Sequence, residues 1–171
     1  DLKVDDQDIL RQYDLGHQWD GTSKQPGLRK SVPPQQLFIE RSIQFLKPGG
    51  MAGIVTPDSI LTNPSEKFIR YWILRHAKVI ASVKLPRATF EPDTPTKTHL
   101  MLFERRSQPI NDIAKSNHKT FTAEAKVVGS DSNNDPVFLR TQEGDKILGS
   151  DGEPLLDDDL PAIIKAFKEW Y

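Results

Sequence analysis

The passage from Ser31 to Ile60 constrains this chain most, because a proline-led apolar stripe, a Lys-Pro-Gly-Gly turn and a short apolar run follow one another there. Leu37, Phe38, Ile39, Ile43, Phe45 and Leu46 predict an amphipathic helix, with Glu40, Arg41 and Gln44 left for solvent. Pro33 and Pro34 suit its first turn, where no backbone donor is lost. Pro48, Gly49 and Gly50 stop it and turn the chain. Met51 to Val55 then reads as a strand buried on both faces. Pro57 ends it, since proline cannot sit inside a central ladder. Helix, glycine turn and buried strand make half of a doubly wound α/β unit. Ligands of such sheets gather at the carboxyl ends of strands, so Thr56, Pro57 and Asp58 are candidates for the rim of a site. The plainer alternative is that Pro57 only terminates the strand.

The 171 residues suffice for one domain of ordinary size with a core. A hydrophobic share of 36% beside a charged share of 27% implies a generous surface. The net charge of -1 gives no global electrostatic case for nucleic acid, so any such contact needs a local patch. With no cysteine, the chain can have no disulfide, thiolate metal site or cysteine nucleophile. No apolar run approaches transmembrane length and no signal peptide opens the chain, so a cytoplasmic protein with no membrane partner is expected. The opening at Asp1 rather than methionine suggests a piece of something longer.

Three segments follow from the pattern: 1–30, 31–106 and 107–171. In the first, Asp5 to Tyr13 can form a short helix capped by Asp5 or Asp6 and ended by Gly16. Asp14 to Lys30 has loop composition; its Tyr13 and Trp19 neighbours could stack on a base, though packing is the commoner use. In the second, Asn63-Pro64-Ser65-Glu66 starts a helix that buries Phe68, Ile69, Trp72 and Ile73 and leaves Arg70 and Arg75 exposed. His76 suits the end of that helix as a cap. Lys78 to Leu85 and Thr98 to Phe103 read as strands, and the loop between them is too short for a helical crossover, so they should pair antiparallel. In the third, Thr120 to Val128 alternates as a half-buried strand and Pro136 to Thr141 can return as its hairpin partner. Gly144, Gly149 and Gly152 mark further turns. Asp157, Asp158 and Asp159 read as caps of a terminal helix rather than as a metal site, and none is expected elsewhere. Leu160, Ile163, Ile164, Phe167 and Trp170 give that helix one apolar face.

Four motifs in one order carry a family resemblance: Leu37-Phe-Ile-Glu-Arg to Leu46-Lys-Pro-Gly-Gly, Ile54-Val-Thr-Pro-Asp58, Val83-Lys-Leu-Pro-Arg-Ala-Thr-Phe-Glu-Pro, and Thr96-Lys-Thr-His-Leu-Met-Leu-Phe. They resemble the adenine-N6 DNA methyltransferase subunits of type I restriction-modification systems. The tail from Phe121 to Pro161 also looks like that family. The resemblance covers roughly residues 34 to 171. It implies a partial class I methyltransferase sheet, Rossmann-like and α/β, of which only the later strands are here, with a β-hairpin and terminal helix appended. It implies S-adenosylmethionine as methyl donor in the full-length protein. It also implies DNA, the amino-terminal half of the methyltransferase, and specificity and restriction subunits as partners.

Two departures limit that implication. The family's glycine-rich cofactor loop follows a strand, whereas Gly49-Gly50 follow a helix. Its Asn-Pro-Pro-aromatic catalytic motif is matched neither at Pro33-Pro34 nor at Asn63-Pro64. The chain is therefore expected to hold no catalytic residue, to bind no cofactor alone, and to be inactive in isolation. What remains is the loop from Arg87 to Lys97 and the start of the next strand, which the resemblance puts beside the flipped base. Arg87 and Lys97 are candidates for phosphate, and Phe90, Thr98 and His99 for the base. Alternatively Phe90 plugs the core and the cations are merely solvated. A non-catalytic module that docks a specificity or partner subunit, and a small-molecule methyltransferase relative, are the competing readings. Met51 to Val55 should border a missing strand, leaving an apolar edge that self-associates or is covered by the amino-terminal segment.

Overall fold

The computed structural model describes residues 2–171. Its first elements are α1 (Gln7–Leu10), β1 (His17–Asp20), β2 (Ser23–Leu28), α2 (Pro34–Phe45), β3 (Met51–Pro57), α3 (Ser59–Thr62) and α4 (Lys67–His76). The strands β4 (Ala77–Leu85), β5 (Thr98–Arg105) and β6 (Phe121–Glu124) follow, and α5 (Leu160–Trp170) closes the chain. β1 and β2 form an antiparallel pair, and the remaining strands form a sheet in the order β3-β5-β4-β6. β5 thus returns between β3 and β4. Lys78 of β4 meets Glu104 of β5 at 2.6 Å and Ser82 meets His99 at 3.2 Å, the register of the antiparallel pair that the short connection predicts. By its contacts the chain divides into two units. One runs to Ala81 and resumes over Met101–Thr120; the other comprises Ser82–Leu100 and Phe121–Tyr171.

The first unit has a deep core. Leu37, Ile39 and Ile43 of α2, Ile69, Trp72 and Ile73 of α4, and Met101 and Phe103 of β5 are all buried in one cluster. The orientation of α2 differs from the one its apolar count suggests. Phe38 and Phe45 are 68% and 79% exposed, while Gln36 and Glu40 are buried. Positions 36, 39, 40 and 43 share one helical face, and 38 and 45, seven apart, share another. Glu40 is tolerated inside because Oε1 and Oε2 accept the backbone N–H groups of Asp14 and Leu15, each at 2.8 Å. β3 is likewise not buried on both faces: Met51, Gly53 and Val55 are exposed, and the residues between them are covered to varying degrees. A strand at the end of the sheet order, packed on one side, gives that alternation.

The segment before α2 is more ordered than a loop. Asp6 caps α1 by accepting from Asp8 N at 2.8 Å and Ile9 N at 3.1 Å, and the helix stops at Leu10 rather than reaching Tyr13. Gly16 passes so close to that helix that a Cβ would stand 2.1 Å from the carbonyl oxygen of Leu10. Gly21 and Thr22 then form the two-residue turn of the β1–β2 hairpin, with Gly21 at φ +61°. Arg70 and Arg75, expected at the surface, act as clamps. Arg70 donates to the carbonyls of Ile60 and Asn63, and Arg75 to that of Ile110. Arg105 does the same for the carboxyl end of α2, donating to Gln44 O and Leu46 O.

The second unit is built otherwise. Only Val83, Leu85 and Ala125 form its buried cluster, with Phe90, Ala123, Val128, Leu160 and Ile163 packed against them. α5 buries none of its residues fully. Phe167 meets Phe121 edge-on at 5.4 Å, and Trp170 lies 5.7 Å from Phe121. β6 ends at Glu124 instead of running to Val128, and Pro136 to Thr141 is not a returning strand. Three equivalent turns replace it. Asp131, Thr141 and Gly149 donate to the carbonyls of Asp135, Asp145 and Glu153, at 3.0, 2.8 and 2.8 Å. Each turn holds one left-handed residue: Asn134 (φ 66°), Gly144 (φ 96°) and Gly152 (φ 83°). Behind the turns the backbone closes two rings. Leu139 N donates to Leu155 O, Leu155 N to Ile147 O and Ile147 N to Leu139 O, all at 2.9 Å. Gly129, Asp157 and Val137 repeat the cycle one layer away. Two of the aspartates before α5 accept backbone N–H groups. Asp158 accepts from Leu160 N at 2.8 Å, and Asp159 from Lys126 N at 2.7 Å.

Candidate functional site

In the first unit the strand β3 delivers Thr56, Pro57 and Asp58 at its carboxyl end, immediately before the turn of α3. Thr56 is buried, and Pro57 and Asp58 are half-buried. Asp58 has entered helical backbone at φ -55°, ψ -32°. Thr62 one turn later donates its hydroxyl to Asp58 O at 3.0 Å and Oδ2 at 3.1 Å. The rim is thus a rigid strand-to-helix corner carrying one carboxylate.

In the second unit the loop after β4 is tied together by its own polar groups. Arg87–Thr89 make one 3₁₀ turn, Thr89 Oγ1 donates to Pro86 O at 2.8 Å, and Thr94 N donates to Phe90 O at 2.9 Å. Arg87 and Lys97 are exposed, as phosphate candidates must be. Phe90 is half-buried against Val83, Leu85 and Ala125, so part of its ring serves packing. Lys97 lies close enough to Glu124 to favour its charged form, after the hydrogen bond and charge of Lys84. Thr98 is buried, and its Oγ1 has no hydrogen-bond partner. An orphaned hydroxyl of this kind costs about 1–3 kcal/mol. His99 is half-buried, with Nδ1 at 3.2 Å from Ser82 Oγ.

The strongest polar cluster of the first unit lies elsewhere and escapes a reading of the sequence. Asp14 accepts Trp72 Nε1 at 2.9 Å and Lys24 Nζ at 2.5 Å on its two carboxylate oxygens, while its carbonyl accepts Trp19 Nε1 at 3.1 Å. Burial pushes the Asp14 carboxyl up, but the hydrogen bonds from Lys24 and Trp72 and the nearby positive charge outweigh it and hold it below its ordinary value. Burial raises Glu40 to about 7, against the opposing pull of the Leu15 and Asp14 amides. His76 stacks on Trp72 at 4.2 Å between ring centres, and burial holds it below its usual range. Its Nδ1 lies 2.8 Å from Trp72 O, so it caps the end of α4 as its position predicts. Trp19 stacks on Phe68 at 5.7 Å, and Arg41 lies 4.5 Å over Tyr13, so these aromatics serve packing. The cluster clamps the hairpin to α2 and α4. The helical spacing of Gln36, Glu40 and Ile43 marks the face of α2 that is buried, but not the partners Glu40 finds there.

Gly49 and Gly50 do not suit the cofactor of a methyltransferase. Gly49 N donates to Arg105 O at 2.8 Å and Gly50 O accepts Arg105 N at 2.9 Å, which ties both to the end of β5, and Gly50 N donates to Lys47 O at 2.8 Å across the turn between α2 and β3. Among the described residues no group of three or more His, Asp or Glu is placed to hold a metal ion, and no helix is long and apolar enough to cross a membrane.

The later-strand sheet with β5 folded back between β3 and β4, flanked by α2 and α4, defines the class: an α/β, Rossmann-like partial fold of the class I methyltransferases. Solved structures share it. A putative class I S-adenosylmethionine-dependent methyltransferase from Listeria monocytogenes aligns over 71% of this chain and 32% of its own, with TM-score 0.51 and 16% identity. A modification subunit of a putative type I restriction enzyme from Vibrio vulnificus aligns over 95% of this chain and 34% of its own, with TM-score 0.51 and 18% identity. A structure of the type I R-M system, described for its complex assembly and conformational transition, gives 0.53 and 23% over 91% of this chain and 28% of that one. The family model for N-6 DNA methylases matches residues 16–168, and the chain belongs to that family. The methylase subunit of the Escherichia coli type I restriction enzyme EcoEI is 27% identical over 101 residues, 54% of this chain. The chain spans only 20% of that subunit's length.

Proposed function

We propose that this chain is the later-strand part of the catalytic domain of an S-adenosylmethionine-dependent adenine-N6 DNA methyltransferase of a type I restriction-modification system, inactive as an isolated chain. The match to the N-6 DNA methylase family over residues 16–168 carries the reading. The likeness to a type I methylase subunit narrows the class and suggests DNA, the amino-terminal half of the domain, and specificity and restriction subunits as partners. Inactivity in isolation follows from chemistry. An adenine amine is a poor nucleophile because its lone pair is delocalised into the ring. Acceptors must hold it in line with the methyl group while stacking clamps the extruded base. This chain has neither the Asn-Pro-Pro-aromatic motif nor a glycine-rich loop to do so. Its own contribution is the corner at Thr56, Pro57 and Asp58 and the loop from Arg87 to His99. Arg87 and Lys97 would meet phosphate, and Phe90 and His99 would border the base. The orphaned Thr98 hydroxyl supports a contact that the whole protein completes.

The test is methyl transfer from labelled S-adenosylmethionine to unmethylated duplex DNA, read by nucleoside mass spectrometry. It compares the isolated chain with the longest polypeptide that contains it. N6-methyladenine is expected from the longer polypeptide only. Methylcytosine as the product, or turnover by the isolated chain, overturns the reading.

A further inference from the structure

Outside the sites above, the first unit holds a recess of about 430 Å³ beyond the carboxyl end of β5, lined among others by Lys78, Arg106, Lys115, Ser116, Asn117 and His118. Its floor is a hydrogen-bonded relay. Arg106 is fixed by donating Nε to Leu74 O at 3.1 Å and Nη2 to Ser116 Oγ at 2.6 Å. Ser116 Oγ lies 2.7 Å from His118 Nδ1. The hydroxyl accepts from Arg106 and keeps its own proton for Nδ1, the arrangement in which the ring proton of neutral His118 sits on Nε2. Burial, with the charges of Arg106 and Lys78, keeps that ring below its usual range. The relay leaves three donors, Nη1 of Arg106, Nε2 of His118 and the Lys115 ammonium, beside the side-chain amide of Asn117 on the lining. Lys115 has no ion-pair partner among the described residues. Two carboxylates are near. Glu104 is held by Lys78 at 2.6 Å, and Asp112 accepts Ala114 N at 3.0 Å. Asp112 itself lines the recess, so one carboxylate stands there against the charges of Arg106 and Lys115.

We propose that the Arg106–Ser116–His118 recess is an anion site that takes a phosphate group, on geometry that owes nothing to the methyl-transfer reading. Cationic donors around one recess, a fixed guanidinium and an exposed lysine, are the chemistry of phosphate recognition. Two sources carry that chemistry, a nucleic-acid backbone and a small free phosphate. Bound phosphate favours the imidazolium, so it raises the pKa of His118, against the present pull of Arg106 and Lys78.

The experiment follows the His118 ring signals by NMR in the 171-residue chain, titrating inorganic phosphate at constant ionic strength with chloride as the counterpart. The expected result is a saturable shift with phosphate and a raised His118 pKa. Lys115→Ala, an exposed residue outside the fold's packing, should weaken binding roughly fivefold. Ser116→Ala should change the tautomer signature of His118 in the free protein. A short DNA duplex that displaces phosphate identifies the backbone as the source; retention of phosphate in its presence identifies a small phosphate. An equal response to chloride and phosphate, or unchanged affinity in Lys115→Ala, overturns the site.

Discussion

The two units solve the problem of stability in opposite ways. The first hides large side chains, among them Trp72 and Phe103, and clamps its amino-terminal hairpin with buried polar groups. The second buries three modest apolar side chains and Thr98, and relies on turn geometry and cyclic backbone hydrogen bonds. Their charge differs too. From the sequence, the first unit has 15 Lys and Arg against 11 Asp and Glu, and the second 8 against 13, which together return the chain's 23 and 24. A near-neutral chain thus joins a basic unit to an acidic one, and whole-chain composition conceals both. Where burial does the work, individual side chains matter. Where the backbone does it, chain conformation matters.

The largest expected contrast comes from truncating one apolar anchor in each unit. Trp72→Ala should cost about 3–5 kcal/mol, from the cavity it leaves and the hydrogen bond Asp14 loses. Leu160→Ala, half-buried at the start of α5, should cost about 1 kcal/mol. Denaturant unfolding measures both, and equal costs would break the contrast.

A second effect belongs to the first unit alone. Glu40 holds its proton to about pH 7 in the folded protein, against 4.5 for the ordinary group. Between those values the folded state binds the extra proton, so its stability is greatest below pH 4.5 and is lost as the pH rises toward 7. The loss from this group is about 3 kcal/mol. Glu40→Gln should abolish that pH dependence of unfolding, at some cost from the second backbone donor it leaves unpaired. A wild-type profile flat from pH 4.5 to 7 after correction for other groups would count against the buried clamp.

A smaller effect sharpens the other side. Gly152→Ala meets no atom within 4 Å, so its cost is that of the left-handed backbone, about 1–2 kcal/mol. Hydrogen exchange should show the amides of Leu139, Ile147 and Leu155 opening together, with those of α2 unchanged. Opening of Leu155 alone would mean that the ring is not a cooperative unit.

The smallest effect concerns function. Lys97→Ala in the longest polypeptide that contains this chain should leave thermal unfolding unchanged. It should reduce the salt dependence of DNA binding by nearly one unit of slope. An unchanged slope would leave Lys97 as a solvated cation.

Periodicity exposed the core of α4, the chain reversal at Gly49 and the antiparallel return of β5, because each depends on residues near in sequence. Glu40 was not legible by polarity. Its partners are the amides of Asp14 and Leu15, and no local pattern announces an acceptor for amides that far away. The face of α2 was legible by angle, since Gln36, Ile39, Glu40 and Ile43 align, but counting phenylalanines points to the wrong side. The β1–β2 hairpin carried its turn signal openly in Gly21. The three turns carried theirs as a repeat of unequal length: Asn134-Asp135, Gly144-Asp145 and Gly152-Glu153, each followed two residues later by Val137, Ile147 or Leu155. Spacings of ten and then eight residues hide that repeat from any fixed-period search. At the candidate site, the exposure of Arg87 and Lys97 could be read from charge. The orphaned hydroxyl of Thr98 could not, because it depends on what surrounds it.

The two backbone rings impose an asymmetry on how this region can change over generations. Peptide groups make their bonds whatever side chains they bear, so substitutions between Gly129 and Asp157 are weakly constrained wherever the left-handed positions are kept. Chain length is another matter. Removing one residue between Val137 and Leu139, or between Leu155 and Asp157, puts members of both rings out of register at once, whereas Gly129 and Ile147 each serve one ring. Homologous segments should therefore diverge freely in composition, while insertions and deletions gather at the tips of the turns.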